Sequence, residues 1–278
     1  MESIKSKPSA NQSPTKPRRL SPSDVKRTGN KLPSRMILHG VEGIGKTSMP
    51  AYGPSPIYLM SSGETGLETL IDHRRLPQID HLPELQTWSE LFEALDVVEE
   101  LDHKTLVIDT LNGVERMCHE YVCRTQFGNK WGKDGFSSYQ QGFLASLTEW
   151  RKLLQRLDSI RERKRMSIVC LCHTKISPFH NPEGADYDRW TPDMHHKTWG
   201  LSHRWADMVL FANYFTVVDD TGTRAKGAGG KERLIYTEHS SAYDAKNRLG
   251  LPPMIEMGRS AKEAWDNFIA ELKKGKTK

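Results

Sequence analysis

The chain has 278 residues, of which 36% are hydrophobic and 27% charged, with a net charge of +5 and a mean hydropathy of −0.64. That is enough apolar material for a sizeable core, arranged as one large or two small domains. No apolar run approaches the ~18 residues of a membrane span. The opening MESIKSKPSANQSP has no apolar stretch of the secretory kind. A cytoplasmic protein without membrane contact is expected.

The charge is unevenly spread. Residues 1–35 hold nine Lys or Arg against two acids and are rich in Ser and Pro. Such a segment is expected to stay disordered to about Leu32. It reads either as a solubilising tail or as a basic arm with salt-sensitive affinity for nucleic acid. Three regions follow: a basic tail (1–32), a nucleotide-binding α/β domain (33–258), and a C-terminal helix with a lysine-rich end (259–278).

The apolar run Met36-Ile37-Leu38 leads into Gly40-Val41-Glu42-Gly43-Ile44-Gly45-Lys46-Thr47-Ser48. The pattern G-x-x-x-x-G-K-T is that of a phosphate-binding loop. Gly40 and Gly45 allow the tight turn that aims backbone N–H groups at phosphate oxygens. Lys46 reaches the outer phosphates, and the Thr47 hydroxyl is a ligand for Mg²⁺. A helix from Lys46 is expected to point its positive end at the same anion. Pro50, Gly53 and Pro54 should stop it after about two turns.

Pro56–Met60 reads as a buried strand, followed by Gly63-Glu64-Thr65-Gly66-Leu67. Glu64, just past a strand end, is placed for a water-activating base, or is a solvated loop acid. Residues 87–101 place Trp88, Leu91, Leu95, Val98 and Leu101 on one helical face, with Thr87 or Ser89 as cap. Lys104–Thr110 is a β-branched run ending in Asp109, placed to hold a Mg²⁺-bound water and the Thr47 hydroxyl. A helix over 111–122 and a long helix striped by Phe143, Leu147, Trp150, Leu154 and Leu157 flank a glycine-rich break. That break carries Lys130, Trp131 and Lys133.

Met166–His173 is a further buried strand. Its terminal His173 reads as a sensor of the terminal phosphate or as a core-edge histidine. Residues 176–198 hold three prolines and no periodicity, so a long loop is expected. It carries Arg189, Trp190, His195, His196 and Lys197, cations interleaved with rings, a composition that suits single-stranded nucleic acid. Trp199–Trp205 reads as a short helix and Asp207–Ala212 as a strand. A hairpin is expected around Gly227–Gly230, and a C-terminal helix at Ala261–Lys273. Cys170 and Cys172 fall on one side of a strand. Cys118 and Cys123 flank His119 without metal-site spacing.

The order of strand, phosphate loop, strand with Glu, strand with Asp and strand with His resembles the RecA-like ATPase core. Ala245-Lys246-Asn247-Arg248-x-Gly resembles a stretch of DnaB-type replicative helicases in which a Lys and an Arg reach the neighbouring subunit's ATP. With V-I-D-T-L-N-G, H-T-K, P-E-G-x-D-Y-D-R-W-T-P and W-A-D-M-V-L-F-A-N-Y, the chain is similar to phage-encoded RecA-like ATP-binding proteins of the single-strand annealing (Sak-type) group over about residues 33–258.

That resemblance implies an α/β RecA-like core with a mainly parallel sheet flanked by helices and a C-terminal β-hairpin. It implies ATP and Mg²⁺ as cofactors and a DNA-dependent ATPase reaction, slow turnover being allowed. It further implies a homo-oligomeric ring, hexameric or similar, or a filament, with ATP at subunit interfaces. Single-stranded DNA is the implied ligand, with a single-strand-binding protein as a further partner. Glu64, His173, Lys246 and Arg248 would be the catalytic set. Independently of the resemblance, phosphoryl transfer needs positive charge at the terminal phosphate, which Lys246 and Arg248 can bring from another subunit. The bland alternative for them is a surface basic pair. The expected activity is ATP-dependent annealing or exchange of strands. The alternatives are a DnaB-like helicase or helicase loader, a small-molecule kinase or GTPase, and a structural ATP-binding scaffold.

Overall fold

The computed structural model describes residues 21–25, 32–219 and 226–275. Leu32–Lys278 forms one unit, and Met1–Lys31 another. Of the basic tail, only residues 21–25 are described, with a 3-10 turn at Pro22–Asp24. The expectation of disorder for the rest of the tail lies outside the described residues.

Six parallel strands form the centre of the sheet: β1 (Arg35–Gly40), β2 (Pro56–Met60), β3 (Asp80–His81), β4 (Thr105–Asp109), β5 (Ser167–Phe179) and β7 (Met208–Asp219). Two antiparallel strands, β8 (Lys226–Tyr236) and β10 (Met254–Glu256), extend it to the order β10-β8-β7-β1-β5-β4-β2-β3. The short β9 (Lys246–Asn247) pairs with the start of β7. One strand, β5, thus separates the phosphate-loop strand β1 from the Asp109 strand β4.

Helices cover both faces, which is why the central strands are apolar throughout rather than alternating. Alternate residues still go to opposite layers. Ile37, Leu106, Ile108, Ile168, Cys170 and Val209 pack under α2 (Trp88–Glu100), α3 (Leu111–Gln126) and α4 (Gln141–Lys164). Met36, Leu38, Tyr58, Val107, Val169 and Leu210 face α1 (Gly66–Asp72) and α6 (Ala261–Gly275). Of the expected caps Thr87 is the one used, its Oγ1 accepting from Glu90 N at 3.2 Å; α3 is capped by Thr110, whose Oγ1 accepts from Gly113 N at 3.4 Å. Arg35 fixes the start of β1 through ion pairs to Asp207 (2.8 Å) and Asp158 (3.0 Å).

Three elements differ from expectation. The helix after the phosphate loop is reduced to one turn, Met49 N to Gly45 O at 3.0 Å, and a 3-10 turn at Pro50–Tyr52. Pro50 cannot donate the next helical bond, so the chain turns away. Residues 176–198 are no free loop. β5 runs on to Phe179 and pairs antiparallel with β6 (Tyr187–Pro192), and α5 (His196–Trp205) follows. Phe179 against Tyr187, 5.2 Å between centroids, closes that hairpin. Gly227–Gly229 lie inside β8, paired with Val218, Val217 and Thr216, not at a hairpin tip. Residues 220–225, between β7 and β8, lie outside the described residues. As its apolar stripe implies, α6 packs on the sheet: Ala264, Phe268 and Leu272 are buried in the same core as Ile44, Met49 and Ala51 of the phosphate-loop segment.

Candidate active site

The loop Gly40–Ser48 leaves the end of β1 at the carboxyl edge of the sheet, where α/β folds bind ligands. Gly43 and Gly45 have φ of +72° and +103°, values that a side chain would strain. A Cβ on Gly40 would lie 2.1 Å from the carbonyl oxygen of Ala212, so glycine is needed there for close strand contact. Val41 and Ile44 face the core, whereas Glu42 and Gly43 are exposed. Lys46 is buried, and its Nζ donates to the carbonyls of Gly40 and Val41, both at 2.8 Å.

Thr47 Oγ1 donates to Asp109 Oδ2 at 2.8 Å. Burial pushes the Asp109 carboxyl up to about 6, and the Thr47 hydrogen bond offsets this only in part. A hydroxyl and a carboxylate side by side are hard oxygen donors of the kind a divalent cation takes. The pair fits Mg²⁺.

Glu64 and His173 arrive from different strand ends and meet. Glu64 Oε1 accepts from His173 Nε2 at 2.9 Å and from Thr110 Oγ1 at 3.1 Å. The imidazolium beside it holds Glu64 below the usual carboxylate range, and the Glu64 carboxylate raises His173 in return. A cleft of about 410 Å³ is lined by Gly45, Lys46, Thr47, Glu64, Asp109 and His173. Residues on or just beyond four strands, β1, β2, β4 and β5, therefore share one cavity.

The remaining sequence candidates lie elsewhere. β9 pairs Lys246 with Val209 and Asn247 with Met208, whereas Gly40 pairs with Ala212. Arg248 thus sits beyond the opposite end of β7 from the loop, at least about 13 Å of strand away. Lys246 Nζ is engaged by the His203 carbonyl. Arg248 is exposed and makes no side-chain hydrogen bond or ion pair among the described residues.

Lys130, Trp131 and Lys133 are exposed on the turn after α3. His196 is exposed and Lys197 half-buried at the start of α5. Three residues expected to meet nucleic acid are otherwise occupied. Arg189 pairs with Asp244 at 2.6 Å and lies over Phe179. Trp190 is half-buried and packs toward Phe211. His195 stacks on Phe143 at 4.3 Å and is pushed down to about 4 by burial, so it carries no charge at neutral pH.

Sequence reading missed two buried groups. His39, one residue before the loop, donates from Nε2 to the Asp244 carbonyl at 2.7 Å. That fixes Nδ1 as acceptor for Thr174 Oγ1 at 3.1 Å. Glu115 on α3 accepts from His195 N and from Thr198 Oγ1. Neither residue belongs to a recognisable pattern, and their partners lie far along the chain. Burial raises Glu115 from 4.5 to about 7. The folded state then holds the proton more tightly than the unfolded one. This stabilisation is full below pH 4.5 and is lost as pH rises through 7. Glu115→Gln should remove the dependence. Its stability over wild type should grow by on the order of 3 kcal/mol between about pH 4 and pH 8. Parallel stability curves for the two proteins would contradict the buried-carboxyl account.

Residues 32–249 match a protein family described as an AAA domain. The chain belongs to that family. No curated protein matches it by sequence. Among solved structures, this AAA domain is similar to the RadB recombinase, at 12% identity and a TM-score of 0.46 over 84% of this chain and 91% of that one. It is also similar to the flagellar accessory protein FlaH from Methanocaldococcus jannaschii, at 14% identity and a TM-score of 0.40 over 82% and 87%. The AAA domain has the α/β phosphate-loop fold expected from its sequence, a mainly parallel sheet flanked by helices, and its nucleotide cleft is that of an ATPase. Among the described residues, no helix is long and apolar enough to cross a membrane, and no group of three or more His, Cys, Asp or Glu side chains could hold a metal ion.

Proposed function

We propose that the protein is an ATP-hydrolysing, oligomeric recombinase that binds single-stranded DNA and promotes annealing or exchange of strands. The observation that carries the ATPase half is the convergence of Lys46, Thr47, Asp109, Glu64 and His173 on one cleft. Lys46 and the loop amides cradle the phosphates. Thr47 and Asp109 are the residues that would hold Mg²⁺, which supplies neutralising charge at the transferred phosphoryl group. Glu64 orients and deprotonates the attacking water. His173, bonded to Glu64, holds that carboxylate until a terminal phosphate competes for the imidazole. Arg248 acts on the neighbouring subunit's nucleotide, a reading supported by its exposure and its distance from the chain's own loop.

The DNA half is supported by the exposed Lys130, Trp131, Lys133 and His196, with Lys197 beside them. Rings that stack on bases and cations that meet phosphates bind single strands without sequence preference. The test is binding of a fluorescent single-stranded oligonucleotide with and without ATP, at low and high salt. ATP should strengthen binding, and salt should weaken it. An intact oligomer that binds no single strand at low salt would refute the DNA half and leave the ATPase half standing.

A further inference from the structure

We propose that Arg233 is a further cation of the nucleotide site, supplying charge that a full phosphate-loop helix would otherwise contribute. Two independent observations meet here. The first is the shortened helix. Aligned peptide dipoles place roughly half a positive charge at a helix N-terminus. After Gly45 this chain has one α-type turn and a 3-10 turn, with Pro50 and Pro54 preventing more. The backbone field that normally faces the phosphates is therefore truncated.

The second is the guanidinium beside it. Arg233, on β8, donates from Nη1 to the Ile44 carbonyl at 3.3 Å and from Nη2 to the Gly258 carbonyl at 2.8 Å. A Cβ on Gly45 would lie 3.1 Å from Nη1, so the cation rests against the loop's last glycine. Both acceptors are neutral. Glu232, Glu256 and Glu263 line the adjoining cavity of about 530 Å³, yet Arg233 forms no ion pair among the described residues. A half-buried guanidinium whose bonded acceptors are both neutral keeps donors and charge available to a further anion. The polyphosphate of a nucleoside triphosphate, held in the adjacent loop, is that anion.

Arg233 also ties the loop to the turn before α6. Met257 N donates to the Arg233 carbonyl at 2.8 Å, and Trp265 approaches Gly53. This part of the chain lies beyond the family match at residues 32–249. The C-terminal segment thereby positions the cation and fills the space beneath the shortened turn.

The inference rests on the nucleotide reading of the loop, and its test separates the two. Affinities for fluorescent ATP and ADP analogues are measured for wild type, Arg233→Gln, Arg233→Lys and Lys46→Ala, with melting temperatures. Arg233→Gln should lose about tenfold in ATP affinity and less for ADP, while melting no lower than Arg233→Lys, which also loses the two-pronged tie. Arg233→Lys, which keeps the charge but not the fork, should stay within about threefold of wild type. Gln binding ATP as well as wild type, or Lys binding as weakly as Gln, overturns the proposal. Should wild type itself bind neither nucleotide, the reading of the loop falls, and this inference with it.

Discussion

Glu64→Gln is expected to lower ATP turnover by about 10²- to 10⁴-fold while leaving nucleotide affinity nearly unchanged. The carboxylate lies in the loop's cleft but makes no contact with the loop backbone that would hold the ground-state phosphates. Removing its charge should therefore act on the reaction step and not on binding, a fall in kcat without a rise in KM. Glutamine retains the size of glutamate and an oxygen that can still accept from Thr110 and His173, so the fold should persist. Single-turnover hydrolysis and equilibrium nucleotide binding, measured on one preparation, decide the matter. Equal losses in both would make Glu64 a binding residue. Unchanged turnover would return it to the solvated loop acid that its sequence context equally allowed.

The parts of the site legible in the sequence are those in which one short stretch carries both position and chemistry. Gly40–Thr47 follows an apolar run, and Asp109, Glu64 and His173 each close or follow one, so periodicity alone puts them at strand ends on one edge of a sheet. The contact between Glu64 and His173 was not legible, since 109 residues separate them and nothing local records the pairing. The β5–β6 hairpin was hidden for a related reason. Pro178 and Pro192 remove ladder donors and, with Pro182 in the turn, erase alternation, and Phe179 against Tyr187 and Arg189 to Asp244 add to the hairpin's hold.

Glycine content misled at Gly227–Gly229, where a strand runs through residues that usually mark a turn. The shortened loop helix was visible in Pro50 and Pro54, but what supports the loop in its place was not. Phe268 and Trp265 read as an ordinary amphipathic stripe, with no sign that it packs under Met49 and Ala51.

The second large effect concerns the proposed sharing of the site between subunits. Within this chain Arg248 is exposed, unpaired among the described residues and far from Gly40 along β7. An arginine supplied from a neighbouring subunit can contribute about 10³–10⁵ in rate by balancing transition-state charge. Lys46→Ala should remove the phosphate contact within the loop, and Arg248→Ala the contribution from across the interface, so each protein alone should be inactive while still assembling.

The most direct measurement is therefore the ATPase rate of the two variants mixed in equal amounts and allowed to exchange subunits. In a randomly mixed head-to-tail assembly, roughly one interface in four joins an intact loop to an intact Arg248. Recovery to about that fraction of the wild-type rate is the predicted result. A stable mixed oligomer with no recovered activity would contradict the account.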